Sequence, residues 1–165
     1  MSDSNETAAA QQDTQYGKYL TFQLGKEDFG LKIEYVTEII GMQPITVIPE
    51  VPDYTKGIIN LRGKIIPVIC VRTKFKKEPI PYTDRTCIIV VETQDYSVGL
   101  IVDEVAEVIN IDDKNVSPPP SQKTGVKNRY ISGIGKVGEE IKLLLDCEEL
   151  FREEEAGETG EMPKE

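Results

Sequence analysis

Apolar positions along this chain change spacing from segment to segment, and the spacing predicts short strands. Tyr19-Leu20-Thr21-Phe22-Gln23-Leu24 is rich in aromatic and β-branched residues and alternates in character, the pattern of a half-buried strand. Gly25-Lys26-Glu27-Asp28 comes next as a turn cluster, and Phe29 to Ile33 as a second strand, so the two predict a hairpin. Through Ile33, Val36, Ile39 and Ile40 the spacing drifts from two towards three and four, which predicts a short helical turn before another strand. Ile58-Ile59-Asn60-Leu61 and Ile65-Ile66-Pro67-Val68-Ile69 flank Arg62-Gly63-Lys64, a tight reverse turn. Pro67 has no N–H to give a ladder, which assigns part of its run to an edge or a bulge.

The same pattern occurs twice. Phe29-Gly30-Leu31-Lys32-Ile33-Glu34-Tyr35-Val36-Thr37-Glu38-Ile39-Ile40 aligns without a gap on Val98-Gly99-Leu100-Ile101-Val102-Asp103-Glu104-Val105-Ala106-Glu107-Val108-Ile109, with Gly, Leu, Val, Glu and Ile recurring in place. Backwards, Tyr19 to Phe22 falls on Ile88 to Val91. Forwards, across a longer connection in the second copy, Val47 and Pro49 fall on Val116 and Pro118. Gly57-Ile58 then falls on Gly133-Ile134, and Ile65 to Phe75 on Ile141 to Phe151. Residues 18–75 and 87–151 are therefore two copies of one unit, joined by the proline-punctuated stretch Lys76 to Arg85. About five short strands per copy predict an all-β fold of two pseudo-symmetric small barrels. A unit of this size buries little apolar area alone, so the barrels are expected to share a core. The expected organisation is a disordered tail over 1–15, a first barrel over 16–84, a second over 85–152 and an acidic disordered tail over 153–165. Periodicity leaves open whether the barrels exchange strands.

Composition narrows the chemistry. The 165 residues carry a formal net charge of -10 and contain no histidine. A surface of that sign repels phosphate backbones and anionic lipid, which argues against nucleic acid and membrane surfaces as partners. No apolar run spans a bilayer, and the polar N-terminus lacks the basic and apolar regions of a secretory signal, so the expected location is the cytoplasm without membrane insertion. The absence of histidine removes the commonest general base and metal ligand together. Cys70, Cys87 and Cys147 form no C-x-x-C pair and read as reduced thiols acting as small hydrophobes. No catalytic residue, metal or cofactor is expected.

Two glycine patterns mimic nucleotide motifs. Gly57 to Lys64 has five residues between its glycines where a P-loop has four, and Ile65 stands where that motif needs Ser or Thr. Gly133-Ile134-Gly135-Lys136-Val137-Gly138 is a literal G-x-G-x-x-G, but the repeat aligns Glu139 to Leu145, the next residues, with a strand and not a helix. Arg62 is different: its counterpart in the second copy is Gly138, so the turn does not require arginine, and a planar donor at a hairpin tip suits an interface or a carboxylate clamp.

Lys56-Gly57-Ile58-Ile59-Asn60-Leu61-Arg62-Gly63-Lys64-Ile65-Ile66-Pro67-Val68 resembles the signature of the CheW family, and the resemblance runs over about residues 16–152. It implies two five-stranded SH3-like barrels, no catalysis, and an adaptor joining chemoreceptors to the histidine kinase CheA in bacterial chemotaxis. The implied partners are the cytoplasmic helical tip of chemoreceptors and the CheA regulatory domain, with the isolated chain expected to be a monomer. Carried over by position, the receptor groove falls on Ile33, Val36, Val102, Val105 and Val108. Glu38, Gly57, Asn60 and Arg62 fall on the signature loop and its partner surface. The family continues Pro-apolar-apolar-Asp where this chain has Pro67-Val68-Ile69-Cys70, so any role of that carboxylate is absent from the first copy. The competing readings are an enzyme of unknown class and a small-barrel binding module for another protein or a nucleic acid.

Overall fold

Runs of β-branched and aromatic residues pack well on a pleated surface, and the polar turns between them fold neighbouring strands back on one another. The computed structural model describes residues 16–94, 97–119 and 130–150. In chain order these form β1 (Lys18–Leu24), β2 (Glu27–Lys32), a 3₁₀ turn (Ile33–Tyr35), β3 (Val36–Gly41), β4 (Thr55–Leu61), β5 (Lys64–Cys70) and a one-turn helix α1 (Val71–Lys74). Then come β6 (Cys87–Glu92), β7 (Ser97–Val102), β8 (Glu104–Asn110), a second 3₁₀ turn (Asp113–Asn115), β9 (Val116–Ser117), β10 (Ile131–Val137) and β11 (Glu140–Leu145). The helical turn expected after the first hairpin is the 3₁₀ turn before β3. The tails assigned to 1–15 and 153–165 lie outside the described residues.

The strands form two sheets, ordered β8-β1-β2-β11-β10-β9 and β3-β6-β7-β5-β4. Neither sheet belongs to one copy. The β1–β2 hairpin of the first copy sits between β8 and β11 of the second, and the β6–β7 hairpin of the second sits between β3 and β5 of the first. A boundary near residue 84 therefore separates two halves of the sequence, not two sheets: each copy gives its opening hairpin to the other.

This exchange is symmetric to the residue. Tyr19 faces Ile109 in the β1–β8 pair, and their equivalents Ile88 and Ile40 face each other in the β3–β6 pair. Gly30 lies beside Leu144 where β2 runs parallel to β11, and Gly99 beside Val68 where β7 runs parallel to β5. One stretch of the sequence alignment shifts. Thr46 bridges Ile58 as Ser117 faces Ile134, so Thr46 and Ser117 are equivalent, and Val47 does not match Val116. Ile45 and Val116 instead share a place, each with a methyl over the bare face of the equivalent glycines Gly57 and Gly133. Pro67 sits as expected in a part of β5 that behaves as an edge, although β5 as a whole is internal. The β5–β7 ladder starts only at Val68, so Pro67 lies just outside it and its missing N–H removes no rung of that pairing.

The core is set by period two. In β6, Ile89 and Val91 enter a cluster with Phe22, Leu24, Phe29, Leu31 and Leu145 of the other sheet, while Ile88 and Val90 enter a second cluster with Ile59, Ile66 and Val68. The first cluster joins the two sheets and the second fills the inside of the five-stranded one. A strand buried on both faces needs an unbroken apolar run, which is why Ile88-Ile89-Val90-Val91 lacks alternation.

Candidate functional site

The most distinctive surface feature is the β4–β5 turn. Its two central residues, Arg62 and Gly63, have φ of 56° and 87°. Left-handed geometry matches the twist of a two-residue hairpin, but it strains a residue bearing a Cβ by about 1 kcal/mol. The second copy places Gly138 at the same position with φ of 62°. Arg62 thus holds a conformation that glycine satisfies without strain.

What Arg62 reaches is Glu38. Its guanidinium pairs with the Glu38 carboxylate on β3, with the Arg62 side chain 68% exposed and that of Glu38 28% exposed. β3 and β4 are the opposite edge strands of the five-stranded sheet, so the sheet curls for the pair to meet. Beside it, Lys64 Nζ donates to Glu92 Oε2 at 2.8 Å and lies 3.0 Å from Ser97 Oγ, and Ser97 Oγ donates to Glu92 at 2.9 Å. These bonds, Lys64 first, hold the Glu92 carboxyl below its ordinary range. Glu38–Arg62 and Lys64–Glu92 give this end of the five-stranded sheet two neighbouring ion pairs.

The other signature residues build the turn. Asn60 Oδ1 accepts the Gly63 N–H at 2.8 Å. A Cβ on Gly57 would lie 2.1 Å from the Thr46 carbonyl oxygen, at a φ of 144°. Gly57 and Asn60 therefore shape the loop, Asn60 at an exposed position, and exposed Arg62 reaches the half-buried Glu38.

The expected groove residues separate by burial. Val102 is 1% exposed and packs in the shared core, so it has no free surface to offer. Ile33, Val36 and Val105 are half-buried against that core, and Val108 is 50% exposed. Val36 lies on β3 and Val105 and Val108 on β8, the edge strands of the two sheets. Sequence reasoning missed Ile39, the equivalent of Val108, which is 44% exposed on β3. The strand period already put Ile39 on the same outward face as Thr37 and Gly41.

The glycine-rich run of the second copy is a strand and a turn. Gly133 and Gly135 lie within β10 and Gly138 turns it into β11, with no helix N-terminus to meet a phosphate. Among the described residues no group of three or more His, Cys, Asp or Glu side chains is placed to hold a metal ion, and no helix is long and apolar enough to cross a membrane. The three cysteines are free thiols. Burial pushes the Cys147 thiol up to about 12 and raises that of Cys87, so both stay protonated near neutral pH.

Comparison with known proteins bears on the chain as a whole. The CheW-like domain family matches residues 18–155. The chain is 36% identical to the chemotaxis protein CheW of Klebsiella aerogenes over 138 residues, covering 84% of this chain and 83% of the relative. It is 34% identical to CheW of Treponema pallidum over 140 residues, 82% of each chain. Among solved structures it superposes on the scaffolding protein TtCheW of Thermoanaerobacter tengcongensis with a TM-score of 0.74 and 39% identity, over 79% of this chain and 88% of that one. With the signature turn, the duplicated strands and these relatives in agreement, the chain belongs to the CheW family of chemotaxis proteins.

Proposed function

We propose that this protein is a non-catalytic adaptor that couples chemoreceptors to the histidine kinase CheA, working in the cytoplasm and reaching receptor arrays through its partners. The observation that carries the reading is the exposed Glu38–Arg62 pair, held by a turn that accepts strain to present an arginine. Arginine offers a planar fork of donors to a partner carboxylate or carbonyl, and a rigid strand edge fixes its direction. The receptor tip, a helical hairpin, docks its apolar side on the exposed, equivalent residues Ile39 and Val108 of the two edge strands, with Val36, Val105 and Ile33 half-buried between them and the core. Val102 supports that surface from beneath. The CheA regulatory domain and the receptor tip bind together, on a body that is a monomer when isolated.

The test is a pull-down with the CheA regulatory domain and a soluble receptor-tip fragment, offered separately and together, using wild type and Arg62→Gly. Glycine relieves the backbone strain and is more flexible when unfolded, so the variant is expected to melt within about 1 kcal/mol of wild type. Wild type is expected to retain both partners at once, and Arg62→Gly to bind one of them about tenfold or more weakly. Failure of folded wild type to bind either partner would sink the coupling role.

A further inference from the structure

A second surface, away from the Glu38–Arg62 pair, runs against the charge of the whole molecule. The chain carries -10 overall, yet Lys56, Lys74, Lys76 and Lys77 line one shallow groove of about 680 Å³. Its acidic members are Asp53 and Glu78, and Lys77 Nζ also pairs with Glu27. Lys74 is 5% exposed, with its ammonium 3.9 Å from the centre of the Tyr54 ring and 5.3 Å from that of Tyr130. Two aromatic faces hold that cation in a partly dehydrated wall, where an anion is attracted more strongly than at open surface. Lys76 has φ of 64°, so the exposed lysine sits on a left-handed bend out of α1.

We infer that this groove takes the acidic C-terminal segment of the same chain, residues 151–165. That segment holds Glu153, Glu154, Glu155, Glu158, Glu161 and Glu165 against Arg152 and Lys164. The residues just before it are tied to the groove's Tyr130 wall. The Asp146 N–H donates to the Tyr130 carbonyl at 2.8 Å, and Leu150, one helical turn on, donates its N–H to the Asp146 carbonyl. Fifteen residues reach up to about 50 Å when extended, so a groove walled by Tyr130 lies well inside their range. Exposed lysine–glutamate pairs are individually weak, but tethering raises the local concentration of glutamates into the millimolar range. Several weak pairs then act together, and salt weakens them all. The inference stands on charge and chain path, and is independent of the coupling role.

Heteronuclear NMR on the full chain tests it, comparing wild type with a variant carrying Glu153→Gln, Glu154→Gln, Glu155→Gln, Glu158→Gln and Glu161→Gln. At low salt the amide signals of Lys56, Lys74, Lys76 and Tyr130 are expected to differ between the two proteins, and to converge at about 0.5 M salt. Signals at the β10–β11 tip, around Gly138, serve as a fold control and are expected to coincide throughout. In Lys56→Glu/Lys76→Glu, both lysines lying outside the buried core, signals of residues 153–161 are expected to relax as they do in the high-salt wild type. Identical groove signals in wild type and the glutamine variant at low salt would overturn the proposal. So would a wild-type groove that responds only to added polyglutamate, which would assign it to an acidic segment of another protein.

Discussion

Arg72 and Asp103 show how much one charged pair can organise. Arg72 Nε and Nη2 both donate to the Asp103 carboxylate at 2.8 Å, Nη1 donates to the Glu78 carbonyl at 2.6 Å, and the Gly25 N–H donates to Asp103 Oδ2 at 2.8 Å. The side chains are 13% and 19% exposed, so this is a partly buried clasp and not a surface pair. For Asp103, burial raises the pKa, but the bonds from Arg72 and Gly25 outweigh it and the folded value lies below the ordinary aspartate range. A folded pKa below the unfolded one means the stabilisation is present above the unfolded value of about 3.9 and is lost as pH falls through the folded value. Asp103→Asn is therefore expected to cost about 2–3 kcal/mol in urea denaturation at pH 7. The gap should narrow as both proteins are measured below about pH 4. A gap that stays constant into acid would show that the carboxylate charge does not matter. Nothing in the one-dimensional pattern marked this pair, because Arg72 and Asp103 come from different copies. Arg62 was legible for the opposite reason: its counterpart in the repeat is a glycine, a mismatch that requires no third dimension to see.

At the scale of elements, the repeated glycines are explained by what crosses them. A Cβ on Gly99 would stand 2.8 Å from Ile88 Cγ2 and 3.4 Å from Val68 Cγ2, and one on Gly30 would stand 3.0 Å from Leu144 Cδ2. Each of these glycines lets a neighbouring strand's aliphatic side chain fill the space beside it. Substitution by alanine should therefore show a graded order. Gly138→Ala meets open space and carries only left-handed strain, about 1 kcal/mol. Gly99→Ala overpacks a side chain that can shift, at about 1–3 kcal/mol. Gly57→Ala drives a Cβ into a backbone carbonyl oxygen, and is expected to cost more than either. Urea midpoints of the three variants check the order, and a Gly57→Ala protein as stable as Gly138→Ala would refute the steric account. Strands, turns and the repeat itself were readable because period two and turn chemistry are local. Misalignment near Val47 arose where the two connections differ in length and no strand period runs through them. Pro67 correctly marks the part of its run that has no β7 partner, because a proline in a strand reports on its own N–H and not on the rest of the strand.

The whole molecule is two sheets that neither half of the sequence can build. The β1–β2 hairpin has β8 and β11 as its outer neighbours, both from the second copy, and the β6–β7 hairpin has β3 and β5, both from the first. Sequence could not decide this, since a copy closing on itself and a copy lending its hairpin bury the same residues with the same alternation. The exchange makes a prediction that the unexchanged arrangement does not. Cutting the chain in the exposed stretch between Pro81 and Tyr82 leaves one fragment with β1 to β5 and another with β6 to β11. In the exchanged fold the first fragment keeps the β1–β2 and β4–β5 hairpins, which lie in different sheets, but loses β8 and β11 beside the first, β7 beside the second, and the β6 and β7 half of the shared core. Isolated hairpins are marginal in water, so each fragment alone is expected to give a poorly dispersed spectrum and no cooperative melt. Mixed in equal amounts, the two should recover the native spectrum with a melting temperature that rises with concentration, because folding has become association. If residues 1–81 melted cooperatively by themselves, each copy would be able to close on its own and the exchange would be a choice the intact chain makes, not a condition of its folding.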